Sequence, residues 1–287
     1  MMHGFAIRIG PASFRIGSEW KQPIDQLRQL YAAYPQPEDG IADFTVRLEA
    51  AKLWRRWLRP AVNIAGDFML PDAAPLPLEQ GLLAAEMGMN LQMALGWRRH
   101  VLLHASCAER DGRALVMTGA SGSGKSTLAA MLGEHGWRLM GDEFALLDLA
   151  SGEMFAFPRL ISLKNGAIQV MQQMVVEERF GPLMAGTPKG DIRHLKPRSE
   201  AVERMGEGTV PAMLLFPRFG HVAAIRPMAK SESFVRLTQA STNYVALGEA
   251  GFVALSRFVD MVPAHAIDFA SGSDALDLVE RLWTEIA

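Results

Sequence analysis

Cysteine and excess charge are both scarce in this chain, and each scarcity excludes a class of protein. Cys107 is the single cysteine among 287 residues, so the chain cannot hold an internal disulfide framework or a zinc site built from cysteines. The formal net charge of -2 leaves no overall basic excess to attract nucleic acid or an anionic membrane. We therefore expect a protein of the reducing cytoplasm whose partners include neither nucleic acid nor membrane.

Long apolar runs are also lacking. The most apolar stretch, residues 82–97, is interrupted by Glu86 and Asn90, and the first four residues contain no basic region followed by an apolar core. We therefore expect neither a membrane span nor secretion. The 49% of hydrophobic and 21% of charged residues are ordinary for a globular protein with a sizeable core.

A glycine-rich stretch follows the apolar residues 114–118 and precedes an apolar helical pattern. It matches G-x-x-x-x-G-K-[ST], in which glycines turn backbone N–H groups towards phosphates, lysine reaches the outer phosphates and the hydroxyl can ligate Mg²⁺. A flexible Gly/Ser loop would explain the glycines but not the Lys-Ser-Thr that follows them. We predict that ATP binds here with Mg²⁺, with GTP left open. The predicted contacts are Gly119, Ala120, Ser121, Gly122, Ser123, Gly124, Lys125, Ser126 and Thr127.

Two acids end the next predicted strand, residues 137–143. Asp142 lies only seventeen residues after Lys125, and Glu143 follows it, so we expect both acids one strand away from the loop, where ligands bind in such sheets. One acid can bind Mg²⁺ while the other takes the proton of an acceptor hydroxyl. A metal site in an ATPase that transfers nothing is the alternative.

The remaining pattern predicts an α/β fold with α+β character. Proline-rich residues 71–77 favour a linker, so we predict an N-terminal α+β region at 1–75 and a kinase domain at 76–287. The cations Lys52, Arg55, Arg56 and Arg59 are interpreted as a solvated face. Predicted strands cover residues 44–48, 62–65, 101–108, 114–118, 212–216 and 222–226, with hairpins at 5–16 and 144–157 and helices at 24–34, 78–97, 125–134 and 275–286. Residues 181–198 are predicted to form a mobile loop.

Several spaced motifs resemble a known family. His104, fifteen residues before Gly119, together with the loop and the paired acids is similar to the C-terminal domain of bacterial HPr kinase/phosphorylase, which is related to phosphoenolpyruvate carboxykinase. From about residue 44 to the C-terminus the chain resembles, more narrowly, the group called HprK-related kinase A. The motifs that carry this resemblance are Gly136 to Leu139, Asp142-Glu143, Pro158-Arg159, Ser162 to Asn165, Lys189-Gly190, His194-Leu195, Phe216 to Arg218 and Asn243-Tyr244.

The resemblance implies a P-loop kinase core and a set of roles. Asp142 becomes the base, Glu143 a metal ligand beside Ser126, and His104 a neighbour that tunes Asp142. Arg159 and Lys164 become catalytic cations, with surface solvation as the alternative for each. The segment 189–198 would close on the acceptor, with Lys189, Gly190, Arg193 and His194 as candidate contacts, and a homo-oligomer is suggested. Glu143 stands where HPr kinase has a second Asp, and Thr127 where it has an acid, so a phosphorylase back-reaction does not follow.

Three functions are therefore weighed. The favoured one is an ATP- and Mg²⁺-dependent kinase that phosphorylates a hydroxyl, with a serine of a protein or peptide as the expected acceptor. A small-molecule P-loop kinase is the first alternative, but it predicts a loop near the N-terminus and a helical lid. A nucleotide-binding regulatory ATPase without transfer is the second, and it would need Asp142 to be dispensable.

Overall fold

A computed structural model describes residues 2–38, 40–70 and 72–286, so Pro71 of the predicted linker lies outside the described residues. The strands are β1 His3–Ile9, β2 Ala12–Ser18, β3 Phe44–Ala50, β4 Ala61–Gly66, β5 Leu76–Pro77, β6 His100–Leu103, β7 Ala105–Arg110, β8 Arg113–Thr118, β9 Arg138–Gly141, β10 Ala145–Asp148, β11 Met154–Phe155, β12 Ile161–Lys164, β13 Phe180–Thr187, β14 Gly190–Leu195, β15 Val210–Phe219, β16 Ala224–Pro227 and β17 Ala264–Phe269. The helices are α1 Lys21–Leu30, α2 Gly81–Gly96, α3 Lys125–Glu134, α4 Gly166–Gln172, α5 Ser199–Glu203, α6 Lys230–Ala240, α7 Tyr244–Met261 and α8 Gly272–Glu285.

The first sheet has the order β1-β2-β3-β4-β5. Helix α1 buries Ile24, Leu27 and Leu30, which recur at the three-residue spacing of one helical face. Helix α2 packs on β3 and β4, where Val46 and Leu48 are buried at the alternate positions of a strand. The predicted strands and helices of this region are confirmed, except that the helix predicted at 24–34 ends at Leu30.

The second large sheet carries the glycine-rich loop. Its order is β16-β17-β15-β8-β7-β9, and β8, β15 and β17 are parallel to one another. Strand β7 is antiparallel to both β8 and β9, so the carboxyl ends of β8 and β9 reach the same edge with β7 between them. The predicted α/β class is confirmed. The acids follow β9, which is separated from β8 and its loop by one strand, β7.

His104 divides the strand predicted at 101–108, which is therefore corrected to two strands. Strand β6 pairs with β10 in a three-stranded sheet, whereas β7 joins the large sheet. The backbone N–H of His104 donates to the carbonyl of Ala240 at 2.8 Å, and its carbonyl accepts from the hydroxyl of Thr118 at 3.0 Å. These two bonds hold the chain where it passes from one sheet to the other.

The loop predicted at 181–198 is wrong, because these residues form the hairpin β13–β14. The hairpin buries Met184, Ile192 and Leu195, which gives it a core face that a mobile loop lacks. Its turn is closed by the hydroxyl of Thr187, which donates to the carbonyl of Gly190 at 2.6 Å, and Gly190 adopts a φ of +86°. The glycines and prolines thus mark a turn and irregular pairing inside a strand pair.

The main buried core contains side chains from both sides of residue 75. Ile7 and Phe14 of the first sheet belong to the same cluster as Val101 and Phe157, and the hydroxyl of Tyr34 donates to the carbonyl of Pro158 at 2.5 Å. The division at residue 75 stays a prediction. No helix within the described residues is long and apolar enough to cross a membrane.

Candidate functional site

A tight loop joins β8 to α3 at residues 119–124. Gly122 and Gly124 have φ values of +81° and +95°, a region that side chains rarely tolerate. A side chain at Gly124 would also meet the ring of Phe269 at 3.0 Å. The loop therefore needs glycine for its course, and it presents its backbone at the N-terminus of α3, an arrangement that favours anions.

Lys125 and Ser123 place further donors in this loop. The ammonium of Lys125 donates to the carbonyls of Gly119 at 2.7 Å and Ala120 at 3.0 Å. Burial lowers the pKa of Lys125, while the charges of Asp142 and Glu143 act in the opposite direction. The buried hydroxyl of Ser123 has no hydrogen-bond partner among the described residues. A bound phosphate would satisfy that hydroxyl, so the residues present fit an anionic ligand.

Asp142 follows β9 and is only 4% exposed. Its carboxylate accepts from the hydroxyl of Ser106 at 2.8 Å and from the backbone N–H of Ser162 at 3.3 Å. Burial, followed by the charge of Glu143, raises the pKa of Asp142 to about 6, and the hydrogen bonds only partly oppose this. A carboxylate with such a pKa is well suited to accept a proton near neutral pH.

His104 and Glu143 form the outer part of the site. The Nδ1 atom of His104 lies 3.7 Å from the Oε2 atom of Glu143, and the side chains are 48% and 26% exposed. Burial lowers the pKa of His104, the charge of Glu143 opposes this, and the charges of Lys125, Lys164 and Lys189 lower it further, so that the pKa lies below its ordinary value. His104 is therefore neutral near pH 7. The structure places it against Glu143, so its predicted influence on Asp142 stays a prediction.

Two of the predicted cations, Lys164 and Lys189, act electrostatically on the site. Lys164 ends β12, Lys189 lies in the turn of the β13–β14 hairpin, and both act on the pKa of His104 together with Lys125. Lys164 also lowers the pKa of Lys125. The charges of Lys125, Lys164 and Lys189 therefore all act on His104 beside Glu143, and positive charge there favours a polyphosphate.

Arg159 is placed differently from these lysines. Its buried guanidinium pairs with the carboxylate of Glu86 on α2 and donates to the side chain of Asn90. The hydroxyl of Tyr31 donates to the same carboxylate at 2.9 Å. Through these contacts Arg159 joins the segment after β11 to α2, which is a structural role. Its predicted catalytic role stays a prediction.

Arg193 and His194 of the predicted substrate segment are neighbours in β14. Arg193 pairs with Glu177 and donates to the carbonyl of Gly181 at 2.8 Å. His194 is buried, and burial lowers its pKa. Their predicted contact with an acceptor stays a prediction, whereas Lys189 and Gly190 lie in the hairpin turn.

Ser106 is the site residue that sequence reasoning missed. It lies two residues after His104, and the alternation of a strand could have placed both side chains on one face. Ser162 belongs to a motif of the family resemblance, but its backbone N–H, rather than its side chain, contacts Asp142. The carboxylate is therefore held by β7 and β12, two strands that are distant in sequence.

The residues also fit a bound Mg²⁺. Within residues 2–38, 40–70 and 72–286, no cluster of three or more His, Cys, Asp or Glu could hold a metal ion by itself. Mg²⁺ in nucleotide sites needs no such cluster, because it keeps waters and takes phosphate oxygens besides one or two protein ligands. The hydroxyl of Ser126 and the carboxylate of Glu143 are oxygen donors of the required kind.

Comparison with known proteins gives a structural likeness but no match in sequence. No protein-family model matches the chain, and no curated protein matches it. Among solved structures it is similar to the Hpr(Ser) kinase/phosphatase from Coxiella burnetii, with 13% identity, a TM-score of 0.27, and coverage of 64% of this chain and 98% of that one. An identity and a TM-score this low say nothing about the activity of this chain. The narrower resemblance to HprK-related kinase A stays a prediction.

Proposed function

We propose that this protein is an ATP- and Mg²⁺-dependent kinase that transfers the γ-phosphoryl group to a hydroxyl, with serine of a protein or peptide as the favoured acceptor. The observation that carries the proposal is a buried carboxylate, Asp142, at the same sheet edge as a glycine-rich loop with Lys125 and Ser126. A structural carboxylate would be expected to pair with a cation, but the hydrogen bonds to Asp142 among the described residues come from Ser106, Ser126 and the backbone of Ser162.

The loop residues would bind the phosphate chain. Backbone N–H groups of residues 119–124 and the hydroxyl of Ser123 supply donors, while Lys125 and Lys164 supply positive charge where charge spreads during transfer. The ammonium of Lys125 would exchange its two carbonyl partners for phosphate oxygens. Ser126 and Glu143 would hold Mg²⁺, which, when bound, neutralises phosphate charge.

Asp142 would orient the acceptor hydroxyl and take its proton. Its raised pKa makes the carboxylate more basic than an ordinary aspartate, and the hydroxyl of Ser106 and the N–H of Ser162 fix its direction. A positioned base of this kind contributes about 10²–10⁴ in rate. Lys189, in the turn of the β13–β14 hairpin, acts on the pKa of His104 and would meet the acceptor rather than the nucleotide.

Phosphoryl transfer can be measured directly on the full chain. Incubation with Mg²⁺ and γ-labelled ATP, in the presence of serine-containing peptides, should give an acid-stable phosphoester together with slow ATP hydrolysis. Lys125→Ala and Ser126→Ala should each lower both by about 10²-fold or more. The first removes the positive charge that would face the phosphates, and the second removes a metal ligand. Lys21→Ala, at an exposed lysine of α1, is the matched control and should behave as wild type.

Two results would speak against the proposal. Equal ATP turnover in wild type and Lys125→Ala would remove the glycine-rich loop from the activity altogether. ATP hydrolysis that depends on Lys125, but yields no acid-stable phosphoester with any serine peptide or small hydroxyl compound, would favour the regulatory ATPase.

A further inference from the structure

Two strand ends lie beside the glycine-rich loop on the side away from the acids. Strands β15 and β17 follow β8 in the sheet, whereas β7 and β9 lie on its other side. Because β8, β15 and β17 are parallel, their carboxyl ends meet at one edge, where ligands of such sheets bind. A nucleotide whose terminal phosphate faces Asp142 therefore extends its base towards the ends of β15 and β17.

Phe219 is the last residue of β15 and lies close to the loop. Its Cβ atom is 3.5 Å from the position that a side-chain carbon of Gly124 would take. Its ring is paired with that of Phe269, with centroids 5.9 Å apart, yet Phe219 is 55% exposed while Phe269 is 3% exposed. The buried ring of Phe269 thus packs against the loop, whereas Phe219 is more than half exposed beside it.

Three donor groups next to Phe219 along the chain are engaged within the protein. The guanidinium of Arg218 donates to both carboxylate oxygens of Asp268 at 2.9 and 3.0 Å. The backbone N–H groups of Gly220 and His221 donate to the carbonyl of Phe269. A base placed here would meet an aromatic face, while these three neighbouring donors are bonded to the protein and do not read its edge.

We propose that Phe219 is the stacking platform for the purine base of the nucleotide, and that ATP and GTP therefore bind with similar affinity. The inference rests on the proposed function, since it needs a nucleotide whose phosphates occupy the loop. Stacking of a base on an aromatic ring contributes about 5-fold to 150-fold in affinity. A single half-exposed ring should give the lower part of that range, about 5-fold to 20-fold.

Calorimetric titration of the full chain with Mg·ATP, Mg·GTP and Mg·tripolyphosphate separates base from phosphate. Phe219→Ala should weaken ATP and GTP binding about 5-fold to 20-fold and leave tripolyphosphate binding unchanged. Phe219→Trp should retain nucleotide affinity, whereas Phe219→Leu should lose most of the stacking although it still covers Phe269. Phe252→Ala is the matched control, because Phe252 is 52% exposed on α7, which packs against α6 and β6.

The outcomes that overturn the inference differ from those that overturn the kinase. If Phe219→Ala binds ATP as wild type does, the base lies elsewhere, and the kinase proposal stands. Equal weakening of ATP and tripolyphosphate would show that the ring supports the loop rather than the base. A difference of more than 10-fold between the affinities of wild type for ATP and GTP would contradict recognition of the base through its aromatic face alone. If wild type binds neither ATP nor tripolyphosphate, the proposed function itself fails.

Discussion

Asp142 shows how much of a residue's behaviour depends on distant neighbours. Its position could be predicted, because two acids at the end of a strand after a glycine-rich loop form a local pattern. Its pKa could not, since the burial that raises it and the Ser106 hydroxyl and Ser162 N–H that hold it come from residues 20 or more positions away. The same holds for His104, which lies between β6 and β7 and contacts Glu143, between β9 and β10.

The raised pKa of Asp142 makes a prediction about stability. A carboxyl group whose pKa rises from about 4 unfolded to about 6 folded stabilises the fold at low pH, and this contribution disappears as pH rises through 6. Asp142→Asn removes the ionisation, and the Ser106 hydroxyl can reverse its hydrogen bond to accept from the new amide. Its free energy of unfolding should exceed that of wild type by up to about 3 kcal/mol at pH 7.5.

Chemical denaturation at two pH values checks whether Asp142→Asn is more stable than wild type and how that gain depends on pH. The gain of Asp142→Asn over wild type should be smaller at pH 5 than at pH 7.5, because the folded wild type is largely protonated at pH 5. A gain that is equal at both pH values, or a loss at pH 7.5, would contradict the raised pKa.

At the scale of elements, a buried ion pair joins α2, which packs on the first sheet, to the segment that follows β11. Arg159 follows β11, whereas Glu86 lies on α2, 73 residues earlier, and their pairing has no signature in the sequence. Likewise, the turn of the β13–β14 hairpin could be located from its glycines, but the burial of Met184 and Ile192 that orders the hairpin depends on the core it meets.

Arg159→Met should destabilise the protein by about 3–5 kcal/mol, because it leaves the Glu86 carboxylate buried without a cation. Adding Glu86→Gln should recover part of that loss, since the amide is neutral and can still accept from the hydroxyl of Tyr31. Free energies of unfolding for the three proteins give the answer. A loss under about 1 kcal/mol, with turnover abolished, would favour the catalytic role predicted for Arg159 from the sequence.

For the whole molecule, the α/β class followed from the sequence but the order of the strands did not. Local patterns located β7, β8 and β9, yet only the pairing of β7 with both neighbours separates the acids from the loop by a strand. No prediction from the sequence covers α6, α7 or β17. Strand β17 lies beside β15 through parallel pairing, a long-range contact that leaves no periodicity of its own, and it completes the sheet edge proposed to receive the base.

The central claim is that Asp142 acts on the acceptor while Ser126 and Glu143 hold the metal. Measuring the Kd of Mg·ATP and the rate of phosphoryl transfer in Asp142→Asn and Glu143→Gln tests it most directly. Asp142→Asn should keep the Kd within a few-fold and lower transfer by about 10²–10⁴, whereas Glu143→Gln should also weaken Mg·ATP binding. Wild-type transfer in Asp142→Asn would contradict the account.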